Sequence, residues 1–169
     1  METGDCRLGK TPGPLVLHGL EALKAHSCHM AAQCRRRLLI YSHRLDPRIY
    51  DQGCFVEAVR QLVICHPGTR LEILVADTSE LVRGGRLLQL AQDLASSIAI
   101  RRRNEEYEGD ERSFMLADEE GYLLRNLWHD MGNVRADYAA RPLVRRLTEE
   151  FQRIWERSSI DPALRRLHL

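Results

Sequence analysis

The sequence predicts an α/β fold of three layers, with a mixed, mostly parallel sheet and helices on both faces. Three observations predict it. Residues 37–43 (RLLIYSH) and 70–76 (RLEILVA) are short apolar runs of the kind that form strands buried on both faces. Each is followed by a segment with apolar residues at helical spacing, which implies parallel pairing with right-handed crossovers. Two further apolar runs flank Asp118-Glu119-Glu120-Gly121, a connection that closes a hairpin and adds an antiparallel part.

In chain order, residues 1–16 carry Gly4, Gly9, Pro12, Gly13 and Pro14 without any period, and read as a flexible leader before one α/β domain over residues 17–169. From Leu17 to Cys34, Leu20, Leu23, Met30 and Cys34 recur at helical spacing. The first strand follows and ends at Asp46-Pro47. A helix from about Gln52 to Cys65 carries the stripe Phe55, Val56, Val59, Leu62 and Val63, and Pro67-Gly68 stops it. After the second strand, Asp77-Thr78-Ser79 is suited to capping a helix that runs to about Leu94, its start delayed by Gly84-Gly85. Ile98 and Ile100 alternate with polar neighbours in a third strand ending in Arg101-Arg102-Arg103. An exposed acidic loop, residues 104–111, leads to the hairpin of residues 113–117 and 122–127. Residues 128–138 read as aperiodic loop. Pro142 opens a long helix marked by Leu143, Val144, Leu147, Phe151, Ile154 and Trp155, and a tail carries Leu164, Leu167 and Leu169.

Composition excludes several classes. The chain has 169 residues and a formal net charge of +1, which argues against a dedicated nucleic-acid binder. Its longest apolar run, Leu38 to Tyr41, is far below the ~20 residues of a membrane helix, and no signal-peptide core is present. Five cysteines, without an export signal, are expected as reduced thiols in a cytoplasmic protein, with Cys54 and Cys65 in core packing. Lys10 and Lys24 are the only lysines against 23 arginines; guanidinium can grip carboxylate or phosphate bidentately as lysine cannot, but GC-rich codons, which favour Arg, Ala, Leu and Gly together, account for the bias.

Ligands of open α/β sheets bind beyond the carboxyl ends of the strands. Those ends carry His43, Arg44 and Asp46, then Asp77, then Arg101 to Arg103, while Asp118, Tyr122 and Arg125 belong to the hairpin. His43 is the candidate general base or nucleophile, with Asp77 or Asp118 to orient it. His43, Arg44, Asp46, Arg101, Arg103, Tyr122 and Arg125 are candidate ligand contacts. The cluster His26-Ser27-Cys28-His29 has metal-ligating types, but no CxxC or HExxH spacing occurs. It reads as a helix with two solvated histidines, and no metal or cofactor is expected. No phosphate-cradling glycine loop and no GxSxG elbow is present.

The element order βαβαβββα from Leu38 to about Trp155, with the segment Arg112 to Leu127 (RSFMLADEEGYLLRNL), resembles a phospholipase D-like domain over two-thirds or more of the chain. That family carries H-x-K-x-x-x-x-D before the hairpin, the histidine as nucleophile and the lysine as phosphate contact. With the aspartate on Asp118, Glu111 stands at the histidine position and Ser113 at the lysine position. The downstream G-S-x-N falls on Arg125-Asn126 and is absent. Without the imidazole no phosphohistidine can form, so the resemblance implies a pseudoenzyme. Active members need two motif copies, from a tandem or a homodimer, so a single copy would have to pair. Residues 40–51 (IYSHRLDPRIYD) and 154–158 (IWERS) also resemble an uncharacterised bacterial domain found beside GNAT-type acetyltransferase domains, though the acetyl-coenzyme A loop of those enzymes has no counterpart here.

The expected function is a non-catalytic domain that binds a protein partner, a sibling subunit or a phosphate-bearing ligand at the strand ends. The alternatives are an enzyme rebuilt around His43 and nucleic-acid binding through the arginine triplets Arg35 to Arg37 and Arg101 to Arg103.

Overall fold

A computed structural model describes residues 2–165; Leu167 and Leu169 of the expected tail lie outside the described residues. The strands are β1 (Leu15–Leu17), β2 (Arg37–Arg44), β3 (Arg70–Asp77), β4 (Ile98–Arg102), β5 (Ser113–Ala117), β6 (Gly121–Arg125) and β7 (Val134–Asp137). They form one mixed sheet in the order β1-β7-β6-β5-β2-β3-β4. The α/β class holds. Only the β2–β3 and β3–β4 pairings are parallel, however, so antiparallel pairing predominates and the expectation of a mostly parallel sheet is corrected. The reason lies in two strands too short to show a period. Leu15–Leu17, within and just beyond the expected leader, pairs with Val134–Asp137, within the expected loop.

The helices are α1 (Leu20–Gln33), α2 (Pro47–Tyr50), α3 (Gly53–Cys65), α4 (Ser79–Val82), α5 (Arg86–Asp93), α6 (Arg141–Glu156) and α7 (Pro162–Arg165). On one side of the sheet α1, α3 and α5 bury Met30, Phe55, Val59, Leu62 and Leu90 against Leu38, Ile40, Leu71 and Ile73. On the other side α6 buries Val144, Leu147, Phe151 and Ile154 against Leu39, Tyr41, Leu74 and Phe114. Strand alternation makes this division, since consecutive residues of β2 point to opposite faces. Burial on both faces is why β2 and β3 read as unbroken apolar runs.

The leader is packed. Cys6 is fully buried, and the Leu8 amide donates to Gln33 Oε1 at 2.9 Å. Gly121 accommodates this segment, for a Cβ there would lie 2.7 Å from Leu8 Cδ1 and 3.1 Å from the Asp137 carbonyl. The cysteines also depart from expectation: Cys28 and Cys54 form a disulfide joining α1 to α3, and Cys54 and Cys65 are exposed rather than in the core. Both positions flank the apolar stripe of α3 without belonging to it. No helix among the described residues is long and apolar enough to cross a membrane.

Candidate functional site

The three parallel strands end side by side. Arg44 of β2 is in register with Asp77 of β3, and the Arg103 amide, just past β4, donates to the Val75 carbonyl. Here a cleft of about 480 Å³ is lined by His43, Ala76, Asp77, Thr78, Arg102 and Glu108. Asp77 lines it, with Oδ1 accepting from the Ser79 amide in a tight turn before α4, a bond that lowers its pKa.

The His43 ring stacks on Trp128 at 4.9 Å with 13° between planes. Its Nδ1 is buried and makes no hydrogen bond among the described residues. Burial, and next the charge of Arg103, lower its pKa against the opposing pull of Asp77 and Glu111. The imidazole is therefore neutral at neutral pH. No hydrogen bond joins it to Asp77, Glu111 or Asp118, so the orienting carboxylate expected for a catalytic base is not assembled. Arg44 lies over the same indole at 4.9 Å, its terminal nitrogens 3.9 Å from Asp77 and from Glu80. Its Nε is buried without a partner among the described residues.

Arg103 is the central cation. Strand alternation carries it to the α6 side, where its guanidinium lies 4.5 Å over the Tyr41 ring and Nη1 donates to the Asp110 carbonyl at 3.2 Å. It is only 4% exposed and forms no ion pair among the described residues. Nε and Nη2 are buried and without hydrogen-bond partners among the described residues. These two nitrogens are the side-on fork of the guanidinium. In Arg48, Arg112 and Arg141 the same edge grips Asp46, Asp110 and Glu120 respectively through both nitrogens. Asp110, the carboxylate nearest to hand, is taken by Arg112 and by the Tyr41 hydroxyl at 2.8 Å. Of six buried side-chain polar atoms without partners among the described residues, four belong to His43, Arg44 and Arg103.

On the opposite sheet face is a closed polar knot. Ser113, at the family's lysine position, is 2% exposed, and its hydroxyl meets Ser42 Oγ at 3.3 Å. Arg125, its direct cross-strand partner, donates Nη2 to Ser113 Oγ at 3.1 Å and Nη1 to the Trp128 carbonyl. The buried Tyr50 phenol adjoins both. Arg125 is therefore a contact within the protein rather than an open ligand contact.

Four other expected site residues lie elsewhere. Asp118 stands at the far end of β2, where its carboxylate accepts from the amides of Arg35, Arg36 and Arg37 at 2.6, 2.7 and 2.9 Å and from the Cys34 thiol. It clamps the α1–β2 turn and cannot orient His43. Tyr122 is buried beneath α6, opposite Leu116 and Asp137. Asp46 caps α2 and pairs with Arg48. Arg101 packs over Trp155 at 4.4 Å and donates to its carbonyl. Glu111, at the family's histidine position, is exposed. The expected pair of solvated histidines is also corrected. His26 is buried and bonds the Tyr138 hydroxyl at 2.9 Å, while His29 donates Nε2 to the Cys6 carbonyl.

Sequence reasoning passed over Tyr41 and Asp110, which hold Arg103 in place. The triplet Arg101 to Arg103 resembles a solvated charge run. The period of two was the available signal, since it separates Arg102 from its two neighbours and sends Arg103 toward the face of Tyr41.

Residues 19–167 match the family described as Domain of unknown function (DUF7931). No curated protein matches the chain. Among solved structures, it is similar to Nuc, a phospholipase D family member from Salmonella typhimurium. The TM-score is 0.60 at 14% identity, covering 87% of this chain and 96% of that one. It is also similar to phosphatidylserine synthase of Haemophilus influenzae Rd KW20, with TM-score 0.60 and 15% identity over 91% of this chain and 40% of that one. TrmBL2, an archaeal chromatin protein described as showing a novel mode of DNA binding, matches with TM-score 0.60 and 13% identity over 88% of this chain. The chain spans about half of TrmBL2, 54% of its length. At these identities the likeness is one of fold.

Proposed function

The chain belongs to the DUF7931 family and has a phospholipase D-like fold, and from this footing we propose that it binds a phosphate-bearing ligand at the strand carboxyl ends without hydrolysing it. One observation carries the reading: the side-on fork of the buried Arg103 has no partner among the described residues, whereas three other arginines fill that fork with a carboxylate. A buried guanidinium without a counter-charge is destabilising, and an anion that grips its fork relieves that burden. His43, on the same sheet face, adds a buried donor without a partner among the described residues.

Turnover lacks the groups it needs. The positions of the family's nucleophile and cationic contact hold Glu111 and Ser113. His43, the other candidate nucleophile, lacks a hydrogen-bonded carboxylate to orient it. Nucleic-acid binding finds less support, because each arginine triplet is split. Arg101 packs on Trp155, Arg103 is buried, and Arg37 pairs with Glu72.

Calorimetric titration with inorganic phosphate tests the binding, and hydrolysis of bis(p-nitrophenyl) phosphate tests the chemistry. Saturable phosphate binding that Arg103→Met abolishes, with no turnover, is the expected result. Turnover that His43→Gln abolishes would overturn the non-catalytic reading.

A further inference from the structure

Resting on that reading, we infer that the group bound is a terminal phosphate, carried by a monoester or as the free ion, in preference to the phosphodiester that phospholipase D-type chemistry acts on. Two observations point there. The first is the number of donors. Arg103 Nε, Arg103 Nη2 and His43 Nδ1 are three buried nitrogens without partners among the described residues, and Arg103 lies 4.5 Å over Tyr41, the residue two before His43 on the same face of β2. A terminal phosphate has three equivalent oxygens, two to span the guanidinium fork and a third for the imidazole, with Nδ1 carrying the proton. A diester has two non-bridging oxygens, so one donor would face an ester oxygen, a poor acceptor. A carboxylate likewise has only two.

The second observation is depth. Arg103 is 4% exposed, with the Tyr41 ring on one side and the residue 110 carbonyl at Nη1. A recessed fork is reached by the end of a ligand. A diester must route two substituents back out of the recess. The rim adds a preference for the group esterified to the phosphate. Asp77, Glu108 and the nearby Glu111 are carboxylates at or beside the cleft mouth, suited to hydroxyl or amine groups and unfavourable to a second anionic group.

The test is calorimetric titration of the wild-type chain at about pH 7.5, where a terminal phosphate is chiefly a dianion. The probes are inorganic phosphate, phenyl phosphate and dimethyl phosphate. Inorganic phosphate and phenyl phosphate are expected to bind at least roughly tenfold more tightly than dimethyl phosphate. His43→Gln should shrink that preference by weakening inorganic and phenyl phosphate more than dimethyl phosphate. Binding of inorganic phosphate but not phenyl phosphate supports the same preference and assigns the free ion as ligand. Equal affinity for phenyl phosphate and dimethyl phosphate overturns the inference and leaves phosphate binding standing. No binding by any of the three overturns both. The ligand comparison uses the unaltered protein, so it does not depend on the stability of any variant.

Discussion

Ser113 and Arg125 face each other across the β5–β6 hairpin, and the Arg125 guanidinium donates to the Ser113 hydroxyl at 3.1 Å. Ser113 is thus served by a cation from the neighbouring strand, buried and turned inward, and this bears on what a lysine at that position would do.

A lysine at position 113 should not be tolerated. Ser113→Lys puts an ammonium against a guanidinium that is 3% exposed and forms no ion pair among the described residues. Like charges and desolvation together should destabilise the fold by about 3–5 kcal/mol. Urea unfolding measures this. A fully stable Ser113→Lys protein, or one that hydrolyses bis(p-nitrophenyl) phosphate, contradicts the closed-knot account.

Asp118 builds the turn between α1 and β2. Its carboxylate accepts three backbone amides and a thiol, so Asp118→Ala leaves several donors without partners and should lose about 2–4 kcal/mol. Because it stands at the opposite end of β2 from His43, phosphate affinity of the folded fraction should not change. A variant of unchanged stability with weakened phosphate binding would place Asp118 in the ligand site instead.

How much of this was legible depends on length and on distance along the chain. The runs around Ile40 and Ile73 announce themselves because both strand faces are buried, and the hairpin is marked by Gly121 at the end of its turn. Leu15–Leu17 and Val134–Asp137 are too short to show a period and exist by pairing with each other and with β6. The clamp made by Asp118 joins residues 81 to 84 positions apart, and no local pattern encodes it. Arg103 could have been separated from its triplet by strand alternation. Its lack of a counter-charge could not, because Asp110 is adjacent in sequence to Glu111 and Arg112 and offers itself equally to all.

The Cys28–Cys54 bridge spans 26 residues and joins α1 to α3. Loop-closure entropy for a span of that size corresponds to about 3 kcal/mol. Reduction, or Cys28→Ser, should lower urea stability by about that amount, and Cys54 is exposed enough for a reductant to reach the bond. Mass spectrometry of the unreduced chain checks the pairing, and equal stability with and without reductant refutes the contribution.

The depressed pKa of His43 fixes a sign for pH dependence. A histidine kept neutral by burial binds its proton less readily folded than unfolded, so stability falls as pH drops through its ordinary value of about 6.5. His26, lowered by burial as well, acts in the same window, whereas the lowered carboxyls of Asp46, Asp77 and Asp110 act only below about pH 4. His43→Gln should therefore flatten, without abolishing, the loss of stability between about pH 7.5 and 5.5. An unchanged slope would mean that His43 titrates as a solvated side chain.

Arg103 separates binding from folding most sharply. If its guanidinium served the fold alone, Arg103→Met would remove a needed buried cation and lose about 3–5 kcal/mol. Its intramolecular interactions are fewer than that: one hydrogen bond to the Asp110 carbonyl and the contact with Tyr41, offset by two buried donors without partners among the described residues. Methionine fills similar volume and needs no counter-charge, so in phosphate-free buffer the variant should lie within about 1 kcal/mol of the parent. Saturating phosphate should then stabilise the parent, by about 2.7 kcal/mol at a hundredfold excess over Kd, and leave Arg103→Met unmoved. A large loss of stability without phosphate would make Arg103 a structural residue. Equal stabilisation of both proteins by phosphate would move the anion site away from the strand ends.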